Sequence, residues 1–421
     1  MEKTEIPIID RVLEIFPWDN SKEYKKIENR YGEGIKTILE ELLLFPILYF
    51  DSINDLSESI GRDKNKYYDL FKDPEIDWLL LLQEITWNLF ITVLQVYQAN
   101  EDESFRSRWR IRILMDDTLI RRWSLKMAGV YNTYNHIDKH YMYAQKVVFL
   151  AISVGDGKFV FPLVYAFTKK KTHPDYQKTT EIVIDVLDDL YDFVKEHDLT
   201  FQGVRIVGDS GYTSKEIVLA AKSMGLEFYG SLSASWNFIL EDGRIINVGN
   251  LKNGLIPARP RQSSSFKDEY YRLLAYHPIL GKVVLCITPY IEAGTHKIKY
   301  WVYVCSNPDI GCNLVAQEHT IRWKIEQMFK TFKHNLGIRF YQGISTTGQH
   351  AWFALTCLRF IFVQIAFKIS SRFPSLRWNI KKKKFGLAKM MRYIRNNYHL
   401  SHKSNSNDNK RLHYTLMRKA S

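Results

Sequence analysis

One segment of the chain combines a single carboxylate with several cations at helical spacing. The segment HTIRWKIEQMFKTFKHNLGIRF occupies positions 319–340. At about 100° per residue, its polar side chains fall within roughly 80° of one another, and these are His319, Arg322, Glu326, Lys330 and Lys333. The apolar side chains fall on a separate stripe, which predicts a helix packed on a core. A carboxylate among cations can bind a metal ion and hold a phosphate, but a solvated face with ion pairs four residues apart has the same pattern.

Two further acidic positions each follow a short apolar run. The run RILM precedes Asp116 and Asp117, and the run VRIVG precedes Asp209. In open sheets, functional residues often lie just past the carboxyl ends of strands. Aspartate and glycine at such positions also form ordinary turns. Two strand-end aspartates together with the helix glutamate make a stronger case for a site that binds metal ions than any one of them alone.

The three motifs resemble those of a known family of enzymes. RILMDDT, RIVGDSGY and the pattern H-x2-R-x3-E-x6-K are similar to the carboxylate motifs of bacterial insertion-sequence transposases of the DDE class. The closest group carries a tyrosine-arginine-glutamate-lysine signature, which Arg322, Glu326 and Lys333 match. His319 stands at the position of the tyrosine. The resemblance covers about residues 110–345, and it implies a ribonuclease H-like catalytic core.

The resemblance implies which residues are catalytic. Asp116, Asp209 and Glu326 would bind two Mg²⁺ ions, for which Mn²⁺ could substitute, and the ions would carry out phosphoryl transfer. The family pattern is an aspartate, a small residue and a threonine, which selects Asp116 because it lies two positions before Thr118. Asp117 occupies the place of the small residue. If the strand continues, Asp117 points to the opposite side.

The resemblance also implies residues that bind DNA. Arg322, Lys330 and Lys333 would contact phosphates, arginine as a planar fork and lysine as a point charge. His319 could donate a ring N–H where the family tyrosine donates its hydroxyl, and its charge would then depend on pH. Trp301, in the segment WVYVCSN, would stack on a flipped base. A tryptophan in the core or at a sheet edge is the alternative reading of Trp301.

The resemblance implies that the protein is a DNA transposase. Such an enzyme would bind the terminal inverted repeats of its element, cleave DNA at the ends and transfer the strands to target DNA. It would act as a homodimer on double-stranded DNA, in the bacterial cytoplasm and close to the nucleoid. A structure-selective nuclease on the same fold is one alternative, and a DNA-binding protein that has lost catalysis is another. The presence of all three carboxylates argues against the second alternative.

Composition supports a globular protein with a basic end. The chain has 421 residues, of which 46% are hydrophobic and 14% aromatic, as expected of a packed rather than a disordered protein. The N-terminus has no signal-peptide pattern and no apolar run approaches 18 residues, so we expect no membrane span. The four cysteines lack the spacing of a zinc site. The net charge is +13, and residues 372–421 hold all of it, which favours binding to nucleic acid.

Apolar periodicity predicts an α/β fold with helical regions at both ends. Residues 1–105 are predicted to be helical, and the resemblance implies that they form a DNA-binding domain. Residues 106–235 are predicted to form the first part of a ribonuclease H-like core. Residues 236–305 are predicted to be a β-strand insertion, and residues 306–346 to carry the glutamate helix of the core. Residues 347–421 are predicted to form a C-terminal helical region with a basic tail. The segment around Gly129, Tyr131 and Tyr134 is predicted to be a loop without an assigned role.

Overall fold

A computed structural model describes residues 8–48, 50, 52–135, 138–157, 159–262, 269–341, 343–370 and 390–391. The chain forms two compact units. The first comprises Met1–Asn88, Leu119–Lys146 and Met328–Ser421, and the second comprises Leu89–Thr118 and Val147–Gln327. The basic tail beyond residue 371 lies outside the described residues, apart from Met390 and Met391.

The described helices lie mainly in the N-terminal hundred residues and after the strands. They are α1 (Ile8–Ile15), α2 (Lys22–Tyr31), α3 (Ile35–Leu44), α4 (Ile53–Ile60), α5 (Asn65–Lys72), α6 (Trp78–Gln98), α7 (Glu103–Arg108), α8 (Thr179–Lys195), α9 (Lys215–Ser223), α10 (Val248–Lys252), α11 (Cys312–His334) and α12 (Thr346–Ser370). In the first unit, α1, α3 and α5 pack against α12. Most side chains of α12 are buried, so this helix forms the centre of the first unit.

The described strands belong to one mixed sheet. They are β1 (Ile111–Arg121), β2 (Val130–Asn135), β3 (His140–Val154), β4 (Phe159–Phe167), β5 (Val204–Gly208), β6 (Glu227–Ser231), β7 (Asn237–Leu240), β8 (Ile245–Asn247), β9 (Tyr271–His277), β10 (Gly281–Ile291) and β11 (Ile298–Cys305). In the second unit the order is β4-β3-β1-β5-β6-β11-β10-β9-β7-β8. Strands β1, β5 and β6 are parallel, whereas β6, β11, β10 and β9 pair antiparallel. The predicted insertion therefore extends the sheet from β6 outward.

The apolar side chains of β1, β3 and β5 explain their central place. Ile111, Ile113 and Leu114 are buried, as are the last eight residues of β3. Strands buried on both faces have nearly continuous apolar runs, which parallel sheets require. The turn between β3 and β4 uses Gly155 and Gly157, both with positive φ, as the sequence predicted for a hairpin.

Two details differ from the prediction. Strand β1 was expected to end at Met115, but it continues to Arg121, so Asp116 and Asp117 lie within the strand. The alternation of Thr118, Leu119 and Ile120 allows the extended backbone to continue. The predicted loop around Gly129 is instead strand β2, whose residues pair with the first half of β3.

Helices α6 and α12 are long and apolar enough to cross a membrane by length and composition alone. The most apolar window of α12 is 78% buried inside the protein, and that of α6 is 39% buried. A long apolar helix that is mostly buried, as α12 is, is typical of a protein core. The expectation of no membrane span stays a prediction.

Candidate active site

The register of β1 and β5 brings two of the candidate carboxylates to neighbouring positions. Leu114 pairs with Val207 in the parallel ladder. Asp116 and Asp209 each lie two residues beyond this pair, and neighbouring strands are about 4.8 Å apart. The turn after β5 orients Asp209, whose Oδ1 accepts a hydrogen bond of 2.8 Å from the backbone N–H of Gly211.

Helix α11 brings the third carboxylate through a shared arginine. One terminal nitrogen of Arg322 donates to Oδ2 of Asp116 at 2.7 Å, and the other donates to Oε1 of Glu326 at 2.8 Å. The side chain of Arg322 is 9% exposed, and those of Asp116 and Glu326 are 14% and 27% exposed. A guanidinium thus bridges a strand carboxylate and a helix carboxylate in a largely buried place.

A buried ion cluster holds α11 against the strands one turn earlier. Glu318 accepts hydrogen bonds at Oε1 from Arg112 of β1 at 2.9 Å and from Arg205 of β5 at 2.6 Å. The side chains of Arg112 and Glu318 are 0% exposed. Arg205 also pairs with Glu227 of β6 at 3.1 Å, so the cluster contains two cations and two anions.

The two contacts between β1 and α11 repeat at the same spacing. Arg112 and Asp116 are four residues apart on β1 and therefore share a face. Glu318 and Arg322 are four residues apart on α11 and also share a face. The ion pair Arg112–Glu318 and the ion pair Asp116–Arg322 consequently fix the register in which the helix lies on the strand.

The neighbouring aspartate points elsewhere. Asp117 accepts a hydrogen bond of 3.1 Å at Oδ2 from the hydroxyl of Tyr212, in the turn after β5. Burial, followed by the charge of Asp117, raises the pKa of Tyr212 well above its usual value. The alternation expected of an extended strand therefore places Asp116 against Arg322 and Asp117 against Tyr212. The choice of Asp116 as the metal ligand stays a prediction.

The site makes Asp116 costly to ionise. The pKa of Asp116 is raised to about 7, chiefly by burial; the cation Arg322 lowers it and the charge of Asp209 raises it. A carboxylate in low dielectric beside another carboxylate retains its proton unless a cation compensates the charge. The position therefore favours a cation.

The donor set suits a hard divalent ion. Within the part of the chain that the structure describes, no three His, Cys, Asp or Glu side chains are grouped around a common metal position. Asp116, Asp209 and Glu326 nevertheless offer only carboxylate oxygens, which Mg²⁺ prefers. The Arg322 guanidinium already provides positive charge between two of them. A divalent ion bound there would take over that charge and leave Arg322 able to bind a phosphate.

Two buried side-chain nitrogens on α11 lack a hydrogen-bond partner. They are Nε of Arg322 and Nδ1 of His319, which are three residues apart on α11. Burial lowers the pKa of His319 to about 4, so its ring is neutral near pH 7 and does not supply the pH-dependent charge that the sequence suggested. The ring lies 4.4 Å from that of Tyr303. Unpaired buried donors are rare, and a phosphate oxygen would satisfy them.

The remaining predicted DNA-binding residues are accessible to different degrees. Trp301 is 45% exposed, and its ring stacks on that of Tyr290 at 4.4 Å, so it is a surface residue rather than a core one. Lys330 is exposed and Lys333 is partly buried. They follow Glu326 by about one and two turns of α11.

Three residues near the site were missed because the signals that mark them are weak. Arg112 is a lone cation in an apolar run, and a fully buried arginine needs a partner. Glu318 precedes Arg322 by one helical turn, but nothing in the sequence indicates that it meets Arg112 and Arg205. Tyr303, which packs on His319, was read only as part of a strand.

Comparisons with known proteins do not identify a family. The chain matches no protein-family model, and no curated protein is significantly similar to it.

Proposed function

We propose that this protein is a metal-dependent DNA transposase with a ribonuclease H-like core. The observation that carries the proposal is the contact of one guanidinium, Arg322, with Asp116 of the sheet and Glu326 of the helix. It joins two of the three predicted carboxylates, which are 210 positions apart. The third, Asp209, follows the neighbouring strand and is close enough for its charge to raise the pKa of Asp116.

The strand order supports a ribonuclease H-like core. Strands β4, β3 and β1 are neighbours, and β5 and β6 follow β1 in parallel. The first two carboxylates come from neighbouring parallel strands, as expected for a site at one edge of an α/β sheet. The third comes from a helix that follows the inserted strands.

The candidate residues would have different roles in phosphoryl transfer. Two Mg²⁺ ions, when bound, would activate the attacking hydroxyl and stabilise the leaving oxygen. Asp116, Asp209 and Glu326 would hold them. Arg322 would turn its unpaired Nε and its terminal nitrogens to a phosphate oxygen, and neutral His319 would donate or accept one hydrogen bond at Nδ1.

The expected partners follow from this chemistry. The chain would bind the terminal inverted repeats of its own element and then target DNA, as a homodimer, in the bacterial cytoplasm near the nucleoid. Lys330 and Lys333 would contact the phosphate backbone, and Trp301 would stack on an unpaired base because its ring is half exposed.

Substitution of the carboxylates tests the proposal. Asp209→Asn and Glu326→Gln should each abolish Mg²⁺-dependent DNA cleavage and leave DNA affinity within about twofold, because affinity comes mainly from phosphate contacts. Asp117→Asn is the matched control, and it should still cleave. The assay uses duplexes that carry the inverted repeats flanking the coding region, and it follows cleavage and strand joining to a plasmid.

Three outcomes would contradict the proposal in different ways. Cleavage by Glu326→Gln, or cleavage in the presence of a chelator, would exclude the metal mechanism. Cleavage without joining would indicate a nuclease on the same fold. Binding without any cleavage under all metal conditions would indicate a DNA-binding protein that has lost catalysis.

A further inference from the structure

The segment after β1 exposes an unusual number of aromatic rings. We call residues 121–146 the aromatic ribbon; it comprises the end of β1, a turn, strand β2 and the first half of β3, all within the first unit. The exposed fractions of its large side chains are 73% for Trp123, 68% for Tyr141, 45% for Tyr143 and 37% for Tyr134. A single exposed aromatic residue is ordinary, but several on one short ribbon indicate a binding surface.

The strand register puts the tyrosines in a row. Tyr134 pairs directly with Tyr141, and Asn132 pairs directly with Tyr143. Directly paired residues and residues two apart share a face of the ribbon, so the three tyrosines lie on one face. The rings of Tyr134 and Tyr141 meet edge to face at 5.2 Å between centroids.

The ribbon is also basic. Its sequence holds Arg121, Arg122, Lys126, Lys139 and Lys146, against the single acid Asp138. The guanidinium of Arg121 lies 4.9 Å from the ring centroid of Trp123, which keeps that ring beside a positive charge.

Arg122 has a structural role, because its hydrogen bonds hold the end of the ribbon where β1 leaves it. Arg122 is 2% exposed. It donates hydrogen bonds to Oε1 of Gln145 at 2.7 Å and to the backbone carbonyl of Tyr341 at 3.0 Å. The base of the ribbon is therefore fixed by buried hydrogen bonds within the first unit, while its tyrosine face remains exposed.

We propose that the aromatic ribbon binds a DNA strand with unpaired bases. Aromatic rings interleaved with cations are what such a strand requires, since rings stack on bases and cations contact phosphates. A second copy of the chain fits less well, because a self-complementary contact would bring like charges together and interfaces are depleted in lysine.

The spacing of the rings favours an unpaired strand over a duplex. Tyr141 and Tyr143 are two residues apart on one strand, which corresponds to about 6.7 Å. Stacked bases are about 3.4 Å apart, so two successive bases reach both rings only if they separate from each other. The bases of an intact duplex are not free to do so.

The proposal relies on the proposed function only for its choice of DNA, and the test is independent of catalysis. Affinity of the full chain for a labelled 20-nucleotide oligothymidine is measured by fluorescence anisotropy in chelator, where no metal-dependent cleavage takes place. Tyr141→Ala with Tyr143→Ala should lower this affinity by at least about fivefold per ring. Tyr141→Phe with Tyr143→Phe keeps both rings and should retain the affinity.

A matched control variant and a duplex-binding measurement show whether any loss of affinity is specific to the ribbon and to unpaired DNA. Tyr276→Ala removes a tyrosine that is 50% exposed on strand β9 of the second unit, and it should not change the affinity. Affinity for a random duplex should change less than twofold in the alanine double variant. Unchanged oligothymidine binding, an equal loss on duplex, or a change in oligomeric state without a change in DNA affinity would each overturn the proposal.

A second measurement covers the case in which the alanine variant does not fold. The unmodified chain is crosslinked by ultraviolet light to an oligonucleotide that contains 5-iodouracil, and the crosslinked residues are mapped by mass spectrometry. Crosslinks at Trp123, Tyr141 or Tyr143 are expected. Crosslinks found only outside residues 121–146 would exclude the ribbon as the binding surface.

Discussion

At the scale of single residues, the surroundings of Asp116 oppose its negative charge. Its pKa is raised to about 7, chiefly by burial and then by Asp209, although Arg322 opposes the shift. A buried carboxylate whose pKa is strongly shifted by its surroundings is a candidate for function. The same perturbation has a consequence for stability that can be measured without a substrate.

We predict that Asp116 makes the folded protein less stable as pH rises. The carboxyl has a pKa of about 7 in the folded state and 3.8 as the ordinary value, so between these values the folded state binds more protons than the unfolded state. Stability must then fall with rising pH through this window, by up to roughly 1.4 kcal/mol per pH unit from this group. Asp116→Asn, which cannot ionise, should remove this loss.

Thermal unfolding in chelator from pH 4 to pH 8 measures the effect. The melting temperature of Asp116→Asn relative to the unchanged protein should rise between pH 4 and pH 7 and remain constant above that. A difference that does not depend on pH would show that Arg322 keeps Asp116 ionised throughout the range.

At the scale of elements, α11 is the part that completes the site. It contacts β1 through Glu318 and again through Arg322, and it carries Glu326 one turn further. The first of these contacts is fully buried and involves no candidate metal ligand. We therefore regard Glu318 as a positioning residue.

Glu318→Gln should destabilise the protein by about 3–5 kcal/mol, because it leaves the buried Arg112 without a counter-ion and removes one of the two carboxylates that pair with Arg205. It should also lower cleavage, since Arg322 and Glu326 lose their fixed register on β1. Urea unfolding and the cleavage assay at 10 °C check the two effects.

Glu227→Gln is the matched control for this substitution. Within the described residues, Glu227 forms its ion pair with Arg205. Its side chain is 22% exposed, against 0% for Glu318. Its cost should be clearly smaller. Equal destabilisation by both substitutions would mean that the total charge of the cluster matters, and not the attachment of α11.

At the scale of the whole molecule, charge is distributed very unevenly. Residues 372–421 hold 14 Lys and Arg and one acid, Asp408, while the remainder of the chain is balanced. The candidate carboxylates all lie in the second unit. Catalysis and non-specific affinity are therefore expected to reside in different parts of the chain.

Deleting the residues from Arg372 onward should weaken binding to every DNA sequence about equally and reduce its salt dependence. Each lost phosphate contact lowers the slope of log affinity against log salt by about 0.9. Fluorescence anisotropy titrations on terminal-repeat and random duplexes measure the affinity and its salt dependence. They cover roughly 50 to 200 mM salt. An unchanged slope would show that the tail is only solvated, and a loss confined to the terminal repeat would make it a sequence reader.

Periodicity in the sequence was enough to predict most elements. The two faces of α11 were predicted because apolar and charged residues recur with the helical period over about four turns. Strand β2 was missed because VYNTYN has no apolar face: it lies at a place where both faces are at least partly exposed, so the alternation that marks a half-buried strand is absent. The extension of β1 past Met115 was missed because adjacent aspartates are typical of a turn.

Local patterns in the sequence predicted the members of the candidate site: three carboxylates, the cations on α11 and the elements that carry them. How these side chains meet depends on the tertiary structure. Only the register of β1 with β5 places Asp116 near Asp209, and only the packing of α11 brings Arg322 between Asp116 and Glu326. The pairing of Arg112 with Glu318 spans 206 positions. Local patterns specify which face of an element is buried, but not which distant charge compensates another, because that depends on the packing of the whole unit.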